Sequence, residues 1–156
     1  MRTTFFAAAA AVLAATVPAW AAIELRPGEW QVTETGTEDG KPMKPEVEKE
    51  CMSADEARDA INLVNEFKKQ MTEPSGAQCQ GFEAKESGNT VTFVMKCGDP
   101  KQFAFDITGI YNFVSPTRYT ATMKSDVRMM GRRVTSDKKI DGVWIGECKA
   151  GAGKKK

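Results

Sequence analysis

Two cysteines bracket the stretch that most constrains this chain. Residues 79–97 read CQGFEAKESGNTVTFVMKC, two strand-like runs around a Ser87-Gly88-Asn89 turn. With the turn centred on Gly88, Glu86 falls opposite Thr90, and counting outward sets Cys79 against Cys97. Facing residues of an antiparallel pair lie about 4.5–5.5 Å apart, within the range a disulfide needs. The chain has four cysteines, which allow three connectivities. The hairpin register favours Cys79–Cys97 and leaves Cys51–Cys148 by elimination. On a chain-entropy model the short loop contributes about 3 kcal/mol and the long one about 4.7 kcal/mol.

The N-terminus says why such bonds are expected. Arg2 precedes an unbroken apolar, Ala-rich run from Phe5 to Val17, and Pro18 precedes Ala19-Trp20-Ala21. This is the pattern of a secretory signal with an A-x-A site, cut after Ala21. The apolar run is well short of the roughly 20 residues of a membrane span. Residues 1–21 are thus read as a cleaved signal, 22–148 as a single β-rich domain, and 149–156 as a flexible Lys-rich tail. An exported chain with an even cysteine count reads as a disulfide framework in the periplasm, not as a metal site.

Charge narrows the partners. Without Arg2 and the four lysines from Lys149 onward, 17 basic residues face 21 acidic ones. A mildly acidic body argues against a nucleic-acid partner. The chain has no histidine, which removes imidazole bases, Ser-His and Cys-His pairs and the commonest metal ligand together.

The pattern along the chain is mainly β. Trp30 and Val32 alternate with polar residues, and Val47 to Cys51 is a short strand candidate. Ser53-Ala54-Asp55-Glu56 is a capping box. Ala57, Ala60, Ile61, Val64, Phe67 and Met71 then recur at helical spacing, predicting one amphipathic helix to about Met71. After Gly76 everything reads as antiparallel strands. Phe103, Phe105, Ile107, Tyr111 and Phe113 share one face, and Tyr119, Ala121, Met123, Val127 and Met129 share another. The expectation is an α+β fold: an antiparallel meander of about seven or eight strands forming a half-barrel or barrel around one helix.

The residues also carry a family resemblance. Leu25-Arg26-Pro27-Gly28-Glu29-Trp30-Gln31-Val32 is followed by Cys51-Met52-Ser53, Ser87-Gly88-Asn89-Thr90-Val91-Thr92-Phe93, and Trp144-Ile145-Gly146-Glu147-Cys148. In this order they resemble domain-of-unknown-function family 3617, small exported proteins of Gram-negative bacteria. The resemblance implies a periplasmic, β-rich, cysteine-stapled domain and brings no activity, cofactor or catalytic residue.

Candidate chemistry is sparse. Glu46, Glu48, Glu50 and Glu147 are the carboxylates that a Cys51–Cys148 bond would bring near one another, although alternating Glu on a strand usually marks a solvated edge. Met95, Met123, Met129 and Met130 invite a Cu(I) reading, but most sit at strand spacing as core filler. No metal or cofactor is expected, and no enzyme. Arg128, Arg132 and Arg133 flank the Gly131 turn as a candidate anion patch. Trp30, Phe103, Phe105, Tyr111, Tyr119, Met123 and Met129 are candidates to line a concave sheet. The leading expectation is a periplasmic, non-enzymatic protein binding a small apolar or amphipathic ligand there. The alternative is an envelope protein–protein adaptor using a sheet edge.

Overall fold

The computed structural model describes residues 24–74, 76–99 and 101–149. The expected signal, 1–21, and the tail beyond Lys149 lie outside the described residues. Eight strands, all paired antiparallel, form one sheet: β1 (Gly28–Glu38), β2 (Lys41–Pro42), β3 (Glu46–Met52), β4 (Cys79–Ser87), β5 (Thr90–Asp99), β6 (Phe103–Ser115), β7 (Arg118–Met129) and β8 (Arg132–Gly146). Strands β4 to β8 follow one another as a meander, and β8 then pairs with β1. Beyond β1 lie β2 and β3, side by side along its length. No pairing joins β3 to β4, so the sheet is open.

The stapled hairpin forms, but by a different count. Its turn is the two-residue Gly88-Asn89, so Ser87 faces Thr90 and Glu86 faces Val91. That register runs one residue out of step with the expected one. A β-bulge between Cys79 and Gly81 absorbs the offset and returns Cys79 to the position opposite Cys97. Both disulfides, Cys79–Cys97 and Cys51–Cys148, are present. The second runs from β3 across β1 to the segment after β8.

The helical region differs from the single helix expected. It breaks into α1 (Ala54–Arg58) and α2 (Ala60–Thr72) at Asp59, whose backbone is extended (φ −135°, ψ 116°). Its carboxylate accepts the Ile61 amide at 2.8 Å. A short Asp side chain competes for backbone donors and restarts the helix as its own N-cap. The capping box forms upstream, with Glu56 donating its amide to Ser53 at 3.2 Å and accepting the Ser53 amide at 2.6 Å. Helix α2 places Val64 and Phe67 against the sheet at β4 and β5.

Residues in register on neighbouring strands share a face, so the inner face reads in rows. Glu50, Trp30 and Trp144 make one row. Glu48, Val32, Gly142, Tyr119 and Phe113 make the next. Then come Glu46, Glu34, Ile140, Ala121, Tyr111 and Val91. Most apolar members of these rows are core, as are Phe93 and Phe105 further along the same face; Trp30, Phe93, Phe105 and Phe113 are almost fully buried. Each such side chain contributes about 2–3 kcal/mol by leaving water. Aromatic rings run continuously from Trp30 through Tyr119 (5.3 Å), Tyr111 (5.9 Å) and Phe93 (6.1 Å) to Phe67 (5.8 Å). Tyr119 lies flat across Gly142, where any Cβ would collide with its ring. Phe93 covers Gly109 in the same way.

The β7–β8 hairpin turns through Met130 and Gly131, both at positive φ (50° and 79°). Such a turn favours Asn-Gly, because a side chain like that of Met crowds the following carbonyl. Met130 is 85% exposed, so packing does not repay the strain. Met130→Asn is expected to raise unfolding stability by about 0.5–1 kcal/mol in urea titrations. An unchanged or lower midpoint would show that the turn is not strained.

Candidate functional site

The clearest concentration of chemistry lies where the inner face meets edge strand β3. The β1–β3 register turns Glu46, Glu48 and Glu50 to the side that carries Trp30 and Val32. On this strand alternation puts glutamates, not apolar residues, on the inner face. Tyr119 donates its hydroxyl to Glu50 Oε1 at 3.3 Å. Glu34, two residues beyond Val32 on β1, accepts Lys138 Nζ at 2.6 Å. Tyr111 is only 6% exposed, yet among the described residues no buried side-chain oxygen or nitrogen is left without a partner, so its hydroxyl, bonded to none of them, reaches solvent.

Burial and like charge shape the acid–base behaviour. Desolvation raises the Glu50 carboxyl above its ordinary value of 4.5, the Tyr119 hydrogen bond acts in the opposite direction, and Glu56, Glu48 and Glu34 add repulsion. Glu50 keeps solvent contact on the edge strand, so the same carboxylate is partly desolvated and reachable from outside. Burial pushes both phenols well above the usual tyrosine range, and the charges of Glu50 and Glu34 push further. Tyr111 and Tyr119 therefore stay protonated donors at any physiological pH.

The other candidates fall in different places. Trp30, Phe105, Tyr111 and Tyr119 are buried in the core, Phe103 and Met123 are half-buried, and Met129 is exposed at the β7 end. Met95 is fully buried, whereas Met130 is at the hairpin tip, so the methionines share no site. Glu147 is 3.7 Å from Arg26, which stacks on the Trp144 ring at 4.0 Å.

The arginine patch is largely self-neutralised. Register sets Arg128 opposite Arg133 and Asp126 opposite Asp106, two like-charge pairs that resolve diagonally. Arg133 holds Asp126 through Nε (3.1 Å) and Nη2 (2.7 Å), and Arg128 reaches Asp126 (3.1 Å) and Asp106 (3.2 Å). Hydrogen bonds from Arg133, then those from Arg128, hold the Asp126 carboxyl below the usual range. Of the three arginines only Arg132 has no ion pair among the described residues, so little free positive charge is left to grip an anion.

Two shallow grooves, of about 420 Å³ and 210 Å³, lie on the outer face. The larger is walled by Thr33, Thr35, Asn112, Thr120 and Thr122, the smaller by Val94, Lys96, Asp106 and Lys124. Among the described residues no acidic or cysteine side chains converge as a group that could hold a metal ion. No described helix is long and apolar enough to cross a membrane.

The Glu34–Lys138 pair escapes sequence reading. Glu34 follows Trp30 and Val32 on the inward side of β1, and Lys138 precedes Ile140 on that of β8. A charge breaking an apolar alternation is the signal that marks them.

Fold and site together define a disulfide-stapled, open antiparallel sheet with an acidic, tyrosine-floored mouth, of a kind that fits a non-cytoplasmic protein. The chain belongs to the family described as "Protein of unknown function (DUF3617)", which matches residues 25–148. It is similar to the uncharacterized protein YtgA of Salmonella typhimurium, at 27% identity over 143 residues covering 85% of each chain. The YtgA protein of Salmonella typhi matches to the same extent. No solved structure matches.

The direction of the Glu50 shift fixes a pH dependence. A carboxyl whose folded pKa is raised costs stability above that pKa, and the cost vanishes as pH falls through it toward the unfolded value. Glu50→Gln keeps an acceptor for Tyr119 and removes the charge. The variant is expected to be more stable than the parent at about pH 7 and equal to it near pH 3.5. Asp126 loses its contribution as pH falls, but equally in both proteins, so it cancels. Urea midpoints at the two pH values check this, and a variant less stable at neutral pH would contradict it.

Proposed function

We propose that this is a non-enzymatic periplasmic binding protein, exported by the cleaved segment 1–21, which takes a small amphipathic ligand at the β3 mouth of its inner face. One observation carries the reading. Two tyrosine rings buried in the core bring their hydroxyls to an acidic edge: Tyr119 donates to the exposed Glu50 at 3.3 Å, and the Tyr111 hydroxyl meets solvent. The aromatic rings behind the hydroxyls offer an apolar wall, and the edge strand leaves the carboxylates reachable. Absence of catalysis is supported by the lack of histidine and by the engagement of all four cysteines in disulfides.

A second reading has its own observation. Among the described residues the seven-residue strand β3 pairs with β1 alone and leaves its other edge free, and its Val47 is 58% exposed. An extended segment of an envelope protein can add to such an edge as a further strand.

Native mass spectrometry of the protein purified gently from the periplasm separates the two. The ligand reading expects extra mass that leaves on denaturation and is weakened in Tyr111→Phe. A bare mass, together with cross-links from β3 to an envelope protein, would overturn it in favour of the edge.

A further inference from the structure

The sheet has a second free edge, at β4. Among the described residues this strand pairs with β5 alone, so one side of its backbone is open. The hairpin decides which groups that side presents. Its two-residue turn, with Gly88 at φ 61°, is closed by the hydrogen-bonded pair Ser87–Thr90. Bonded and unbonded positions alternate from there. Lys85 and Glu83 therefore spend their backbone groups on β5, and Glu86, Ala84 and Phe82 direct theirs outward.

The side chains beside that edge carry alternating charge. Lys85 and Glu83 stand on the outer face, largely exposed and 3.9 Å apart. Glu86, Ala84 and Phe82 stand on the inner face, in register with Val91, Phe93 and Met95. Lys68 of α2 lies over the Phe82 ring, 4.4 Å from its centroid. Neither Lys68 nor Glu86 has an ion pair among the described residues.

A second copy is the partner that this pattern fits. An antiparallel neighbour must set outward-directed groups against outward-directed groups, which puts the two-fold axis on a residue and not between two. An axis on Glu83 or on Lys85 sets that charge against itself. An axis on Ala84 sets Glu83 opposite Lys85 of the second copy, and Glu86 opposite the Phe82 that carries Lys68. The other edge excludes itself, because any such axis on β3 sets Glu46, Glu48 and Glu50 against one another. Pairing β3 of one copy with β4 of another is heterologous and does not close.

We propose that the protein forms a two-fold dimer in which β4 pairs with β4 of a second copy about Ala84, joining two eight-stranded sheets into one. Glu83 meets Lys85 of the second copy on the outer face, and Glu86 meets Lys68 of the second copy on the inner face, each contact made twice. One strand pair is a small interface, so the dimer is reversible and its charges set the register.

Sedimentation equilibrium of the mature chain at low ionic strength, from about 10 to 500 µM, tests this. The expected result is a monomer–dimer equilibrium with nothing larger. Glu83→Lys and Lys85→Glu, both at exposed positions, should each weaken the dimer by about tenfold or more. An equimolar mixture of the two variants should restore it, because every reversed charge then faces its opposite across the axis. The amides of Phe82, Ala84 and Glu86 should exchange more slowly at high than at low protein concentration, and those of Glu83 and Lys85 alike at both. A chain that stays monomeric, or a dimer indifferent to both reversals, overturns the proposal. So does a mixture no more associated than its parts, or growth beyond the dimer.

Discussion

The contact on which much else depends is Tyr119 lying across Gly142. With no Cβ beneath it, the ring drops flat onto β8 and brings its edge against Trp30 and Tyr111. Its hydroxyl is then aimed out of the core at Glu50. Core packing and candidate site are therefore the same side chain seen from two ends. An aromatic body buried with a polar tip at the boundary is a common use of tyrosine. Here the tip meets a carboxylate that the sheet register turns inward.

Openness of the sheet gives that carboxylate its exposure. A closed barrel would pair β3 on both sides and bury the Glu46 to Glu50 row, at a cost no sequence with four inward acids could sustain. Charge on an edge also blocks pairing with other chains. The Cys51–Cys148 bond fastens this edge to the segment after β8 across β1, and the Cys79–Cys97 bond fastens the opposite edge to β5. Each free edge thus has its own staple. Reducing conditions remove both constraints on the unfolded chain, which is the main source of their stabilisation in the chain-entropy view.

Much of this architecture was legible because strands with one buried face write their alternation plainly. The runs at Phe103 to Phe113 and Tyr119 to Met129 fall on the inner side as the period-two pattern says. Two features were hidden. Asp59 sits in an otherwise helical pattern, and nothing in the spacing says that its carboxylate will cap Ile61 and break the helix. The hairpin register was miscounted by one because a two-residue turn and a bulge near Cys79 compensate each other. At the site, Tyr111 and Tyr119 were visible as inward aromatics. The β3 glutamates were read as a solvated edge and are exposed on one; that Glu50 also faces Trp30 and meets Tyr119 depends on pairing between residues far apart in the chain. Glu34 and Lys138 stayed unseen because a charge at an inward position makes sense only when its partner is known.

The central claim is that β3 is a true edge, paired on one side and open to whatever the mouth receives. Amide hydrogen exchange followed by NMR tests it strand by strand. The account predicts alternation along Glu46 to Met52: amides directed at β1 are protected, and those between them exchange as fast as loop amides. Strands β6 and β7, paired on both sides, should be protected throughout. Uniform protection along β3 in the isolated protein would mean that a further strand covers the edge, and the open mouth on which the functional reading stands would not exist.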